Sequence, residues 1–204
     1  MKHLATLLLV AVYCSCVPAQ SSDGFVLESQ EDGVKIYVRE EANGDLSVKA
    51  VTRARAQVQG VRQVLDDAPN YPEWVHRCDG AYIVDGGDLD DYVFVSGIDM
   101  PFPFRDKEVV ARVEQGTDRS GILTRTITAS PAAIPATKGR DRQEVYSGEW
   151  VITPLADGKV EIQCTVRTDA GAGLPAWLRK EIITGGPVKT IANLRRRLET
   201  VASS

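Results

Sequence analysis

The chain has 204 residues, with 24 Lys and Arg against 28 Asp and Glu, a formal charge of −4 and 43% hydrophobic residues. That length fits one domain of ordinary size, and a mildly acidic balance without a basic stripe argues against nucleic-acid binding. Its two histidines, His3 and His76, are too few for most metal sites and weigh against Ser-His-Asp and Cys-His mechanisms, which need suitably placed imidazoles.

Lys2 and His3 form a polar n-region, residues 4–13 an apolar h-region, and Val17-Pro18-Ala19 a small-residue cleavage site. This is the pattern of a secretory signal cut after Ala19. It predicts a signal peptide over residues 1–19, a domain over residues 24–204, and a periplasmic or secreted destination. The apolar run is shorter than the ~20 residues a spanning helix needs. Cys14 and Cys16 suggest a lipid anchor, but Tyr13 and Ser15 depart from the usual small-residue consensus, so a soluble protein is expected. Loss of Lys2 with the leader brings the formal charge to about −5.

The first strand is expected over residues 34–39, after Asp32-Gly33. Asn43-Gly44-Asp45 is a strong hairpin turn. Residues 46–58 then alternate at period two. Gly60 ends that run, and Val61, Val64, Leu65 and Ala68 are spaced as one face of a short helix. Tyr71-Pro72-Glu73-Trp74 forms a turn or second short helix carrying aromatic anchors. His76 follows at a helix end, where it suits capping better than catalysis.

A meander follows, with strands expected over residues 81–84, 91–98, 107–113, 122–129, 144–153 and 160–168. Between the second and third lies Met100-Pro101-Phe102-Pro103-Phe104-Arg105-Asp106. Its prolines have no N–H for a ladder, and its rings favour apolar contact. Such a connector either helps close a hydrophobic cavity or is packed core. Asp88, Asp90 and Asp91 lack EF-hand spacing and read as a solvated loop. Cys78 and Cys164 either form a bridge or stay as two buried thiols, the second being favoured.

The end of the chain is helical. Leu174, Trp177, Leu178 and Ile182 sit three to four apart. Gly185-Gly186-Pro187 interrupts, and Val188, Ile191, Leu194, Leu198 and Val201 resume the stripe. Arg195-Arg196-Arg197, with Arg179 and Lys189, either meet anionic headgroups or complement the helix dipole, the second being sufficient. A long antiparallel meander has one apolar face to bury, and the final helix is the large element available to cover it.

Five blocks in order resemble the START family (steroidogenic-acute-regulatory-protein-related lipid transfer). They are Asp32 through Arg39, Tyr71-Pro72-Glu73-Trp74-Val75, Pro101 through Asp106, Tyr146-Ser147-Gly148-Glu149-Trp150-Val151-Ile152-Thr153-Pro154, and Asp169 through Leu178. The chain is most similar to secreted bacterial members, although His76-Arg77 and Ala170 depart from the pattern. The resemblance implies an α+β helix-grip fold: a curved antiparallel sheet wrapped around a long C-terminal helix, with an internal hydrophobic tunnel for one lipid-like molecule.

On that reading Phe102, Phe104 and Arg105 stand at the tunnel rim, and Trp150, Trp177, Leu178 and Ile182 form its wall. Arg105 and Asp106 must point to opposite faces of their strand. Arg105 is the one expected to reach a ligand, with a plain ion pair as the alternative. The expected protein is a monomeric carrier of a hydrophobic, lipid- or sterol-like molecule. It needs no cofactor or metal, does not bind nucleic acid, and has transient membrane contact as a possible mode of exchange. A cyclase- or aromatase-like enzyme using Tyr82, Tyr92, Asp99 or Glu149, and a ligand-responsive regulatory module, are the rival readings.

Overall fold

A computed structural model describes residues 23–85, 88–168 and 174–201. The expected leader, Cys14 and Cys16, the Gly86-Gly87 turn and the first half of the last resemblance block lie outside those residues. The strands are β1 (Val26–Glu31), β2 (Val34–Glu40), β3 (Leu46–Arg55), β4 (Cys78–Asp85), β5 (Asp91–Ile98), β6 (Lys107–Thr117), β7 (Leu123–Ala129), β8 (Asp141–Arg142), β9 (Tyr146–Pro154) and β10 (Lys159–Thr168). The helices are α1 (Val58–Asp66), α2 (Ala176–Lys180) and α3 (Gly186–Val201). A 3-10 turn spans Ala68–Glu73, and one π-helical turn, Glu181–Gly185, joins α2 to α3.

One sheet runs in the order β1-β2-β3-β10-β9-β7-β6-β5-β4, with the two-residue β8 added parallel to β6. Every other pairing is antiparallel. The sheet curves without closing on itself, so β1 and β4 are its two ends. Along β7 the burial alternates strictly, Leu123, Arg125 and Ile127 facing in and their neighbours facing out, as a strand with one covered face requires.

The helix α3 lies across β2 and β3. It buries Val188, Ile191, Leu194 and Leu198 among the same core residues as Val34, Ile36 and Val48. Leu194 is wholly buried, so its truncation to Ala would cost about 2–5 kcal/mol. This is the helix-grip arrangement that the order of elements and the resemblance imply.

Boundaries differ from the sequence reading in instructive places. The alternation over residues 46–58 spans two elements: β3 stops at Arg55, and α1 begins at Val58 with Val61, Val64 and Leu65 buried. β1 is unanticipated, because its side chains are nearly all exposed and carry no apolar alternation. It exists because Asp32 and Gly33 both adopt positive φ, turning the chain back so that β1 pairs with β2. A side chain at Gly33 would also meet the guanidinium of Arg195. Cys78 and Cys164 are both buried free thiols.

Candidate functional site

Between the inner face of the sheet and the segment over residues 174–191 lies a cavity of about 330 Å³. Strand register organises its wall into three rungs. The deepest is Ala50–Cys164–Trp150, the next Val48–Val166–Gly148, and the last, at the strand ends, Leu46–Thr168–Tyr146. On β7, Arg125 continues the deepest rung and Ile127 the second. Glycine at position 148 presents no side chain there, and a Cβ would already touch Ile127 at 3.5 Å.

The deep end is closed by aromatic rings. Tyr71 meets Trp74 edge-on at 5.2 Å between centroids and Phe94 at 6.4 Å, spacings that suit edge-to-face packing. Tyr71 is fixed in turn by Arg125, which is 1% exposed. Arg125 donates to Asp66 Oδ1 at 2.8 Å, to Gln115 Oε1 at 3.3 Å, to the Tyr71 hydroxyl at 3.2 Å and to the Tyr92 hydroxyl. A buried guanidinium is tolerable because carboxylate and hydroxyl oxygens receive its N–H groups. Burial raises the pKa of both tyrosines, so they are hydroxyls rather than phenolates.

The helical wall is pinned at the π turn. Gly186 N–H reaches back five residues to the Glu181 carbonyl, the extra residue of a π-bulge. Proline at 187 has no N–H to offer a helical ladder, which is consistent with irregularity here. A Cβ on Gly185 would collide with the Glu181 carboxylate. That carboxylate takes Lys189 Nζ at 2.6 Å and His76 Nε2 at 2.9 Å. His76 N–H also donates to Thr190 Oγ1 at 3.0 Å, and Asn193 Nδ2 to the Trp74 carbonyl at 3.0 Å. His76 thus ties the turn after the 3-10 segment to the helical wall, rather than capping a helix as expected.

The last rung holds most of the cavity's remaining polarity. Lys107, Gln143, Tyr146 and Thr168 all line it. Lys107 stands first in the inward row of β6, ahead of the buried Val109, Ala111 and Val113. Its Nζ donates to Gln143 Oε1 at 3.1 Å, while Gln143 Nε2 donates to the Val145 carbonyl at 3.1 Å and to Thr168 Oγ1 at 3.2 Å.

Of the wall residues expected from sequence, Trp150, Leu178 and Ile182 line the cavity. Trp177 does not: it is 57% exposed, because it lies one helical position, about 100°, from the inward Leu178. The rim residues also need correction. Phe104 N–H bonds to the Pro101 carbonyl at 3.0 Å, which puts Phe102 at the tip of a turn, 96% exposed.

Phe104 and Arg105 fall outside the lining as well. Arg105 and Asp106 do diverge: Arg105 Nε faces Asp141 Oδ1 at 3.4 Å, the plain ion pair, while Asp106 Oδ1 accepts from Met100 N–H at 2.9 Å. The cation of this stretch that lines the cavity is Lys107. Its signal in the sequence is a lysine heading an alternating apolar row.

Tyr82, Tyr92, Asp99 and Glu149 lie outside the lining too. Tyr82 is half exposed, and Tyr92 is committed to Arg125. The basic run on α3 is partly engaged, Arg197 with Glu73 and Asp67 and Arg196 with Asn193.

A family model described as polyketide cyclase / dehydrase and lipid transport matches residues 55–195. The chain is 29% identical over 195 residues to an uncharacterized protein of Pseudomonas aeruginosa, covering 95% of this chain and 96% of that one. Among solved structures it is similar to a STAR-related lipid transfer protein fragment from Xanthomonas axonopodis, with a TM-score of 0.77 and 24% identity over 87% of this chain and 99% of that chain. It is also similar to the lipid transfer and protein localization domain of human StarD13, with a TM-score of 0.72 and 19% identity over 86% of this chain and 89% of that one.

Proposed function

The chain belongs to the polyketide cyclase / dehydrase and lipid transport family, and from that membership we propose that it is a carrier holding one hydrophobic or amphiphilic molecule between sheet and helix. The cavity carries this reading. Its wall is built of Val48, Val166, Trp150, Ile127, Leu178 and Ile191, a mostly apolar concave surface with a limited set of polar groups. Each ligand methylene buried there contributes ~0.8 kcal/mol, so about ten of them outweigh several kcal/mol of immobilisation cost without any reacting group.

Carriage rather than catalysis is supported by what the polar groups are doing. His76 is engaged by Glu181, and Tyr71 receives Arg125 and donates to the Leu65 carbonyl. Export fits the leader pattern of residues 1–19. Loading from a bilayer, by a monomer, fits the exposed aromatics Phe102 and Trp177 with Arg179 and Lys180 beside the latter.

Native mass spectrometry of the protein purified from its own host, followed by solvent extraction, tests the reading. A bound lipid-sized molecule is expected, and Val166→Trp, which fills the second rung, is expected to fold and emerge empty. Protein that is repeatedly empty and takes up no apolar probe would overturn it, as would turnover of a polyketide-like substrate abolished by one cavity substitution.

A further inference from the structure

The polar end of the cavity offers donors rather than acceptors. Gln143 Nε2 faces the Val145 carbonyl, which can only accept, so the amide orientation is fixed with Oε1 toward Lys107. Lys107 Nζ spends one N–H on that oxygen and keeps two. No carboxylate among the described residues forms an ion pair with it. Tyr146 lies opposite Thr168 in the β9–β10 register, on the same inward face. Its hydroxyl is kept protonated by burial and has Cys164, Tyr71 and Arg125 as its charged or titratable neighbours, so it belongs to the deep end rather than to Lys107.

The other cations on the wall differ. Arg77 is paired with Asp99 at 3.6 Å, and Arg179 is exposed on α2. An ammonium drawn into an apolar row without an acidic partner is costly unless something negative joins it.

We propose that the ligand is a single-chain amphiphile with an anionic head, a carboxylate or phosphate monoester. The head is held by Lys107 Nζ beside the Gln143 amide, and the chain runs along the rungs toward Trp150. This deepens the carrier reading and rests on it. A charge-assisted hydrogen bond in a half-buried site discriminates against a neutral isostere by ~10-fold or more.

The test compares the fluorescent fatty acid cis-parinaric acid with its methyl ester, using delipidated protein. The wild type is expected to bind the acid at least ~10-fold more tightly than the ester. Lys107→Met should remove that preference, and Lys107→Arg should retain most of it.

Displacement of the acid by oleate supports a carboxylate head, and displacement by oleoyl lysophosphatidate supports a phosphate head. Equal affinity for acid and ester in the wild type overturns the anionic head while leaving the carrier reading intact. A preference that survives Lys107→Met in folded protein overturns the assignment to Lys107. Binding of neither probe overturns the carrier reading and this inference together.

Discussion

His76 Nε2 lies 2.9 Å from Glu181 Oε1, joining the turn that follows the 3-10 segment to the π turn of the helical wall. The same oxygen takes Lys189. Three elements therefore meet at one carboxylate beside the cavity. Glu181→Gln is expected to speed amide hydrogen exchange over residues 181–190 several-fold. Global stability should move by less than about 1 kcal/mol, since partly exposed ion pairs contribute little. Unchanged exchange in that segment would count against a latch.

The same carboxylate sets a pH dependence. The hydrogen bond and charge of Lys189, with His76, hold the Glu181 pKa below its ordinary 4.5, against the desolvation that pushes it up. A carboxylate depressed in the folded state contributes stability that is fully present above its unfolded value and is lost as pH falls through the lower folded one. Titration of the Glu181 carboxyl carbon by NMR should show a midpoint below 4.5, and Lys189→Met should return it toward that value. A wild-type midpoint at or above 4.5 would contradict the ion pair.

Arg125 is the buried tie between α1, the 3-10 turn and the sheet. Arg125→Leu leaves Asp66, Gln115 and two tyrosine hydroxyls short of a donor. The expected cost is about 3 kcal/mol, at the low end for breaking a buried pair, because Asp66 retains Arg62 at 3.4 Å. Urea unfolding should show a lower midpoint with an unchanged slope. A loss under about 1 kcal/mol would mean that water substitutes freely for the guanidinium.

Burial pushes the Cys164 thiol up to about 12, and Cys164 sits in the deepest rung. Only thiolate reacts with iodoacetamide, so Cys164 in native protein should resist alkylation at pH 8 and be modified rapidly in denaturant. Peptide mass spectrometry reads both states. A Cys78–Cys164 bridge, or fast native labelling of Cys164, would show that the rung is open.

The fold was legible wherever burial is one-sided. Period-two alternation marks β5, β7 and β10, and the spacing of Val188, Ile191, Leu194 and Leu198 marks α3. β1 escaped because an exposed edge strand is specified by its turn and its partner rather than by its own side chains. The site was half legible for a related reason. Trp150, Leu178 and Ile182 follow from the family resemblance, but the Pro-Phe-Pro-Phe run misled because greasiness says nothing about which way a turn points.

Lys107 and Gln143 come together only through tertiary structure, 36 residues apart along the chain. Their inward direction could be read for Lys107 from the row it heads. For Gln143 no local pattern announces it.

Because the sheet never closes on itself and α3 lies over β2 and β3, one side of the cavity is held by side-chain packing and a few ion pairs rather than by ladder hydrogen bonds. Letting a molecule in or out then requires no strand to separate from its neighbour. For a carrier of the kind proposed, how fast cargo is exchanged and how firmly the chain stays folded become two separate quantities, set by different residues. In such a carrier, selection can quicken or slow exchange through the contacts of a single helix, leaving the β-framework as it is.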